Sequence, residues 1–190
     1  TPMRKGVIGV NNLNSELQKI LNPPSPDKEE KAYGQIIFRQ GDKVMQIKNN
    51  YRLKWTKIDE DGEAYEGEGV FNGDMGLIAD IDKEEQTITV LFEDDKKVVY
   101  DFSQLDELEL AYAVSIHKSQ GSEFPVVIIP LADGPPMLMT RNLLYTGVTR
   151  AKKMVVLVGR EGTIERMIRN NRIVLRYSNL DVRLKQAFNI

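Results

Sequence analysis

Seven consecutive residues, His117-Lys118-Ser119-Gln120-Gly121-Ser122-Glu123, bring together an imidazole, an ammonium, an amide, a glycine and a carboxylate. Gly121 lets the backbone come close to an anion, and Lys118 or Gln120 can bond phosphate oxygens. Glu123 is an acceptor suited to a ribose hydroxyl. Arg150 follows Thr146-Gly147-Val148-Thr149. Its planar, permanently charged guanidinium matches a phosphoryl group in a transition state. Tyr51 and Trp55 are aromatics that can stack on bases. The bland alternatives stand beside these readings. His117 can bond a backbone carbonyl at a helix end, Lys152 and Lys153 can lie on a solvated helix face, and Tyr145, Tyr51 and Trp55 can be core.

Other chemistries are excluded or weak. The chain has no cysteine and a single histidine, so disulfides and thiolate metal sites are out and a zinc site has too few ligands. Asp59-Glu60-Asp61-Gly62 does not have the spacing of a calcium-binding EF-hand loop. No G-x-x-x-x-G-K-[ST] phosphate loop occurs, so the run Val126 to Asp133 lacks the partner it would need to act as a metal-binding strand end.

The surrounding pattern supplies elements to position these groups. Residues 11 or 12 to 21 read as a helix, with an asparagine N-cap and Leu13, Leu17, Ile20 and Leu21 on one face. Asn22-Pro23-Pro24-Ser25-Pro26 stops it, and the charged stretch at 27–31 reads as surface loop. Residues 34–39 and 43–48 read as short strands around a turn at 40–42. Residues 52–69 show no steady period, and their acidic, glycine-bearing composition predicts a mobile excursion. Three further strands are expected at 76–81, 87–92 and 97–102, spaced as in a small barrel. From Ala111 the pattern predicts a short helix, the polar loop, and a strand at 126–129 buried on both faces. A helix over 141–152, a strand at 154–158 and helices at 161–170 and 180–188 complete the chain. The outer parts alternate β and α and the middle is all β, so the expected class is α/β with an inserted small β-barrel.

Net charge is −2, but it is unevenly spread. Residues 51–110 carry 18 acidic and 6 basic side chains, whereas residues 141–190 carry 11 basic and 3 acidic. That split fits a polyanion-facing domain interrupted by an acidic insert. No apolar run is long enough to span a bilayer and no signal peptide opens the chain, so no membrane partner is expected and the expected compartment is the cytoplasm. The first residue is not methionine, and the chain is expected to be a fragment.

HKSQGSEF at 117–124, followed by LLYTGVTRAKKMVVLVG at 143–159, resembles motifs V and VI of superfamily 1 helicases, in particular the RecD-like DNA helicases related to the exodeoxyribonuclease V alpha subunit. TPMRKG at the chain start resembles motif IV. GDKVM at 41–45 with Asn49-Asn50-Tyr51, then FNGD at 71–74, resembles the RecD-like passage from the second motor domain into its inserted barrel. The resemblance implies a RecA-like second motor domain, a parallel sheet with flanking helices, formed by residues 1–50 and 111–190. It implies a small barrel at 51–110. Gly121, Glu123, Gln120, Arg150 and Arg4 would bind ATP, with Arg150 and Arg4 reaching the γ-phosphate as catalytic groups. Ser115, His117 and Lys118 would serve single-stranded DNA or its coupling to ATP, and Tyr51, by its own aromatic chemistry, is the further candidate for DNA. Mg²⁺ would be held mainly by the first motor domain, which also supplies the rest of the ATP site. The implied partners are that domain, single-stranded DNA and RecBCD-like or other repair subunits, with 5′-to-3′ travel. Two alternatives stay open: a non-enzymatic nucleic-acid or protein-docking module, and the helicase domain of a conjugative relaxase.

Overall fold

The computed structural model describes residues 1–58, 61–172 and 179–188. The chain opens with helix α1 (Val10–Leu21), entered through backbone bonds from Val10 N to Met3 O and from Asn11 N to Arg4 O. Gly9 is the N-cap, so the helix starts just before the expected asparagines. Its buried stripe is Val10, Asn14 and Gln18, while Ile20 and Leu21 are exposed. The apolar face expected from the sequence therefore does not carry the packing. Amides one turn apart do, because the surface opposite them is backbone carbonyl and carboxylate.

Short strands β1 (Glu30–Tyr33) and β2 (Ile36–Arg39) pair antiparallel, so part of the stretch expected to be loop is strand. The main sheet is seven-stranded and wholly antiparallel. It comprises β3 (Lys43–Gln46), β4 (Asn50–Ile58), β5 (Ala64–Val70), β6 (Met75–Asp82), β7 (Thr87–Phe92), β8 (Lys97–Asp101) and β9 (Leu108–Leu110). Their spatial order is β5-β4-β8-β7-β6-β3-β9. Strand β3 lies upstream of residue 51, yet it pairs with both β6 and β9. Phe38, Val44, Ile78, Ile88, Val90, Val98 and Tyr100 form the centre of this unit's core.

The excursion expected at 52–69 is instead largely the β4–β5 hairpin, with Trp55 opposite Gly67 and Thr56 opposite Glu66. Residues 59 and 60 of that stretch lie outside the described residues. Leu53 and Trp55 point inward, alternating with exposed Arg52, Lys54 and Thr56.

From Ala111 the expected short helix is absent. Residues 111–123 are bends and turns, and Thr1 pairs alongside them: its amine donates to Val114 O and its carbonyl accepts from Ile116 N. The alternation of Tyr112, Val114 and Ile116 thus falls on irregular chain held by these backbone bonds. Strand β10 (Phe124–Leu131) then pairs in parallel with β11 (Ala151–Gly159). Between them, α2 (Arg141–Val148) is capped by the Thr140 side chain. It ends four residues before the expected boundary at Lys152 because β11 already begins at Ala151. Helix α3 (Glu161–Arg169) follows, and α4 (Leu180–Phe188) closes the described chain.

Among the described residues the parallel sheet is this single pair, so the overall class is α/β but the larger parallel sheet is not seen. Helices α2 and α3 cover one face, where Ile129, Leu131, Leu143, Leu144 and Met167 are buried. On the other face Val126, Ile128, Met154, Val156 and Val158 are exposed. The strand expected to be buried on both sides is therefore covered on one.

Asp42 ties the pieces together. It is fully buried and accepts from Gln18 Nε2 (2.6 Å), Asn22 Nδ2 (2.7 Å), Arg39 N (2.7 Å) and Tyr112 Oη (2.8 Å). Burial, together with Asp42 as partner, pushes the Tyr112 phenol up to about 12. Replacing Asp42 with Ala orphans several donors, each costing about 1–3 kcal/mol when buried. The expected loss is at least about 3 kcal/mol by urea unfolding, against about 1 kcal/mol for Tyr112→Phe. Because the folded phenol titrates above its unfolded value near 10, its contribution to stability is intact below pH 10 and falls as pH rises toward 12. Alkaline denaturation curves should show this loss, reduced in Tyr112→Phe.

Candidate functional site

The Ile116–Gly121 turn is shaped by its own polar groups. Ser119 is buried, its hydroxyl donates to Ile116 O at 2.8 Å, and its amide donates to Ser115 O. Ser119 is therefore a structural member of the loop. Ser115 is half-buried, and its hydroxyl accepts from Lys118 N. His117 and Gln120 are exposed. The His117 ring makes no hydrogen bond among the described residues, so it is not the carbonyl-bonded helix-end histidine of the bland reading. Gly121 sits at φ +92°, a left-handed conformation, with nothing within 4 Å of where a Cβ would be. The turn is open on that side, and a side chain there would be strained.

Arg150 lies against this bend. Its Nη1 donates to Ser122 O at 3.2 Å, and its own carbonyl accepts from Phe124 N at 2.8 Å. Nε donates to Thr146 O (3.2 Å) and Nη2 to Thr149 Oγ1 (3.3 Å). These are long bonds to neutral acceptors, so an anionic oxygen would displace them readily. Glu123 is exposed and pairs with Lys152 at 3.2 Å. Lys152 stands on β11, not on the helix face expected for it, and that strand position is what brings it to Glu123.

A cleft of about 420 Å³ separates this bend from the seven-stranded sheet. Gly121, Glu123 and Lys152 line one wall, and Gly73, Asp74 and Lys96 line the other. Tyr51 is exposed at the barrel surface and meets Phe71 edge-on, ring centroids 5.6 Å apart. Trp55 instead packs on the barrel core. Asp133, at the end of β10, is occupied by Arg166 and Thr163.

A second cluster holds Arg4 and Lys118. Both pair with Glu109 on β9: Arg4 Nη2 to Oε1 at 2.5 Å and Lys118 Nζ to Oε2 at 2.8 Å. Burial works to raise the Glu109 carboxyl, but Lys118 and Arg4 outweigh it and hold the group below its ordinary range. Glu109, Asp42 and the amides Asn14 and Gln18 carry no functional signal in the sequence, because their partners are distant along the chain. Glu109 has no local motif, and only the pairing of β9 with β3 brings it to Lys118 and Arg4. Asn14 donates to Leu110 O and Ala113 O and accepts from Ala113 N, fixing α1 to the segment that leads into the loop.

The structure thus joins Gly121, Ser122 and Arg150 directly, and Arg4 with Lys118 through Glu109. Tyr51 stands on the barrel, paired with Phe71. Among the described residues no group of three or more His, Asp or Glu side chains can hold a metal ion. The donors among the described residues do not fit a resident Mg²⁺.

Two family models match. The SH3 domain of ATP-dependent RecD-like DNA helicases matches residues 13–92, and the UvrD-like helicase C-terminal domain matches residues 110–158. The ATP-dependent RecD2 DNA helicase of Deinococcus radiodurans is 35% identical over 152 residues, covering 80% of this chain and 18% of that protein. The RecBCD enzyme subunit RecD of Mycolicibacterium smegmatis is 29% identical over 190 residues, covering 97% of this chain and 28% of that protein. A solved structure of two coordinating Pif1 helicases on forked DNA aligns over 92% of this chain and 42% of that one, with TM-score 0.49 and 18% identity. The two models define a helicase C-terminal region carrying an SH3-type barrel. The chain belongs to the RecD-like helicases, as a C-terminal region. It spans less than a third of the length of these curated relatives.

The Glu109 cluster gives a direct test. Following the Glu109 carboxyl by NMR should show titration below the usual glutamate value of 4.5, so its share of stability is present above that pH and declines below it. Lys118→Met should move the titration upward, because burial then acts with one cation fewer against it.

Proposed function

We propose that this chain is one wall of the ATP site of a RecD-like DNA helicase, completed by a first motor domain, and that it carries part of the single-stranded DNA track. One observation carries the reading: the Arg150 guanidinium bonds the carbonyl of Ser122, next to Gly121. A cation and an open glycine bend therefore address the same volume, as a shared triphosphate requires.

In this reading Gly121 and Gln120 approach phosphate oxygens, and Glu123 accepts from the ribose once its exposed pairing with Lys152 yields. Arg150 leaves its neutral acceptors for the γ-phosphate, where charge spreads over oxygens as the bond to the leaving group breaks. Arg4, which is half-exposed, reaches the same phosphate from the loop before α1. Mg²⁺ would neutralise phosphate charge, held mainly by the first motor domain, since no carboxylate cluster among the described residues suits it. Ser115, His117 and Lys118 face the DNA strand, because the same turn that presents Gly121 presents them three to six residues earlier. Tyr51, with Phe71 beside it, offers a base an exposed aromatic edge, worth about 1–3 kcal/mol per stacked base. Closing on ATP and opening after hydrolysis steps the two motor domains along one strand, in the 5′-to-3′ sense. RecBCD-like subunits are candidate partners.

In the full-length protein, Arg150→Ala should lower DNA-stimulated ATP turnover about 10³-fold or more. Its thermal unfolding should be little changed, since the lost bonds are long and partly exposed. Residues 1–190 alone should show no ATP hydrolysis with or without DNA. DNA-stimulated turnover by that chain would overturn the division of the site between two domains.

A further inference from the structure

The two cations read as facing different ligands, Arg4 toward nucleotide and Lys118 toward DNA, share one carboxylate. Each takes its own oxygen of Glu109. Glu109 is held in place: it lies on β9 between buried Leu108 and Leu110 and opposite Met45 of β3. Its partners are not held so firmly. Arg4 sits on the loop before α1, its side chain 55% exposed, and this pairing is its one side-chain bond among the described residues. Lys118 sits on the Ile116–Gly121 turn. The Glu109 and Lys118 side chains are each 23% exposed, so a carboxylate left with neither cation would be largely withdrawn from water without a charge partner.

We propose that Glu109 is a positioning residue that makes triphosphate binding and single-strand binding antagonistic at this half of the enzyme. The inference rests on the roles proposed above for Arg4 and Lys118. When a triphosphate takes Arg4, Glu109 keeps Lys118 as its remaining partner. When a DNA phosphate takes Lys118, Glu109 keeps Arg4. When both ligands bind, Glu109 loses both, and that cost appears as weaker binding of each ligand in the presence of the other. Linkage requires the two effects to be equal. The half-buried position of Glu109 works to raise its carboxyl, and Lys118 and Arg4 are what hold it below its ordinary range.

The test uses the full-length protein, an oligothymidylate and a non-hydrolysable ATP analogue, with anisotropy giving the DNA Kd with and without analogue. Their ratio is the coupling factor, and typical couplings run about 5–150-fold. Glu109→Gln keeps the shape and removes the charge, so both cations are free in every state. The ratio of Kd with analogue to Kd without should fall about fivefold or more. Glu109→Asp, too short to span both cations, should fall in the same direction. An unchanged or increased ratio in both variants overturns the proposal. Arg4→Ala and Lys118→Ala separate the two levels. If Arg4→Ala leaves analogue affinity intact, or Lys118→Ala leaves DNA affinity intact, the underlying assignment fails and the coupling fails with it. If each weakens its own ligand while Glu109→Gln leaves the ratio alone, only the coupling fails.

Discussion

A single buried carboxylate sets the constraints on this molecule. Among the described residues no cation is bonded to Asp42, and four donors from three separate stretches of chain surround it. An ion in that position is tolerable only if its lone pairs are all used, and hydrogen bonds to an ion are about twice as strong as neutral ones. That demand dictates the residues opposite. The inward side of α1 must offer amides, Gln18 and Asn22, and the segment entering the polar turn must offer a phenol, Tyr112. Helix, barrel and turn are thereby fixed to one another by direction-specific bonds. Greasy contact would let them slide.

From that node, order passes toward the site in short steps. Asn14, one turn before Gln18, clamps Leu110 and Ala113. Thr1 pairs with Val114 and Ile116. The turn that follows is closed by Ser119 and presents Gly121 outward. On the far side, β11 and α2 deliver Arg150 to Ser122. A second polar knot, Gln46, Asn50 and Glu107 with the Tyr100 hydroxyl, ties β3 and β4 to the end of the barrel. Burial drives the Tyr100 phenol well above its ordinary range. Gln46 and Asn50 are therefore framework that holds β3 and β4 in place.

How much of this could be read beforehand depended on whether a residue's partner was local. Strands 87–92 and 97–101 alternate apolar and polar residues against their immediate neighbours, and they were legible. So was the order of the polar turn, β10, α2 and β11, which is written within short blocks, whereas the pairing of Arg150 with the bend at Ser122 was implied only by the resemblance of those blocks to helicase motifs. The β4–β5 hairpin was not legible because its second strand is glycine- and glutamate-rich, a poor strand composition by propensity. Its reason is tertiary: a Cβ on Gly67 would collide with the ring of Trp55. The polar stripe of α1 was hidden for the same kind of reason. Leu13, Leu17, Ile20 and Leu21 look like a core face until Asp42 and the carbonyls of Ile37, Leu110 and Ala113 are placed opposite Asn14 and Gln18. The apolar run in β10 gave the strand but not its one-sided cover, because neighbouring strands are a property of topology.

Trp55, resting on Gly67 and 5.2 Å from the Lys96 ammonium, is the only tryptophan in the sequence. The chain consequently carries one indole fluorophore, seated in the β4–β5 hairpin. Lys96 also lines the cleft beneath the glycine bend. Emission from that indole is thus positioned to register both melting of the hairpin and any ligand that draws the neighbouring ammonium away, with no added dye.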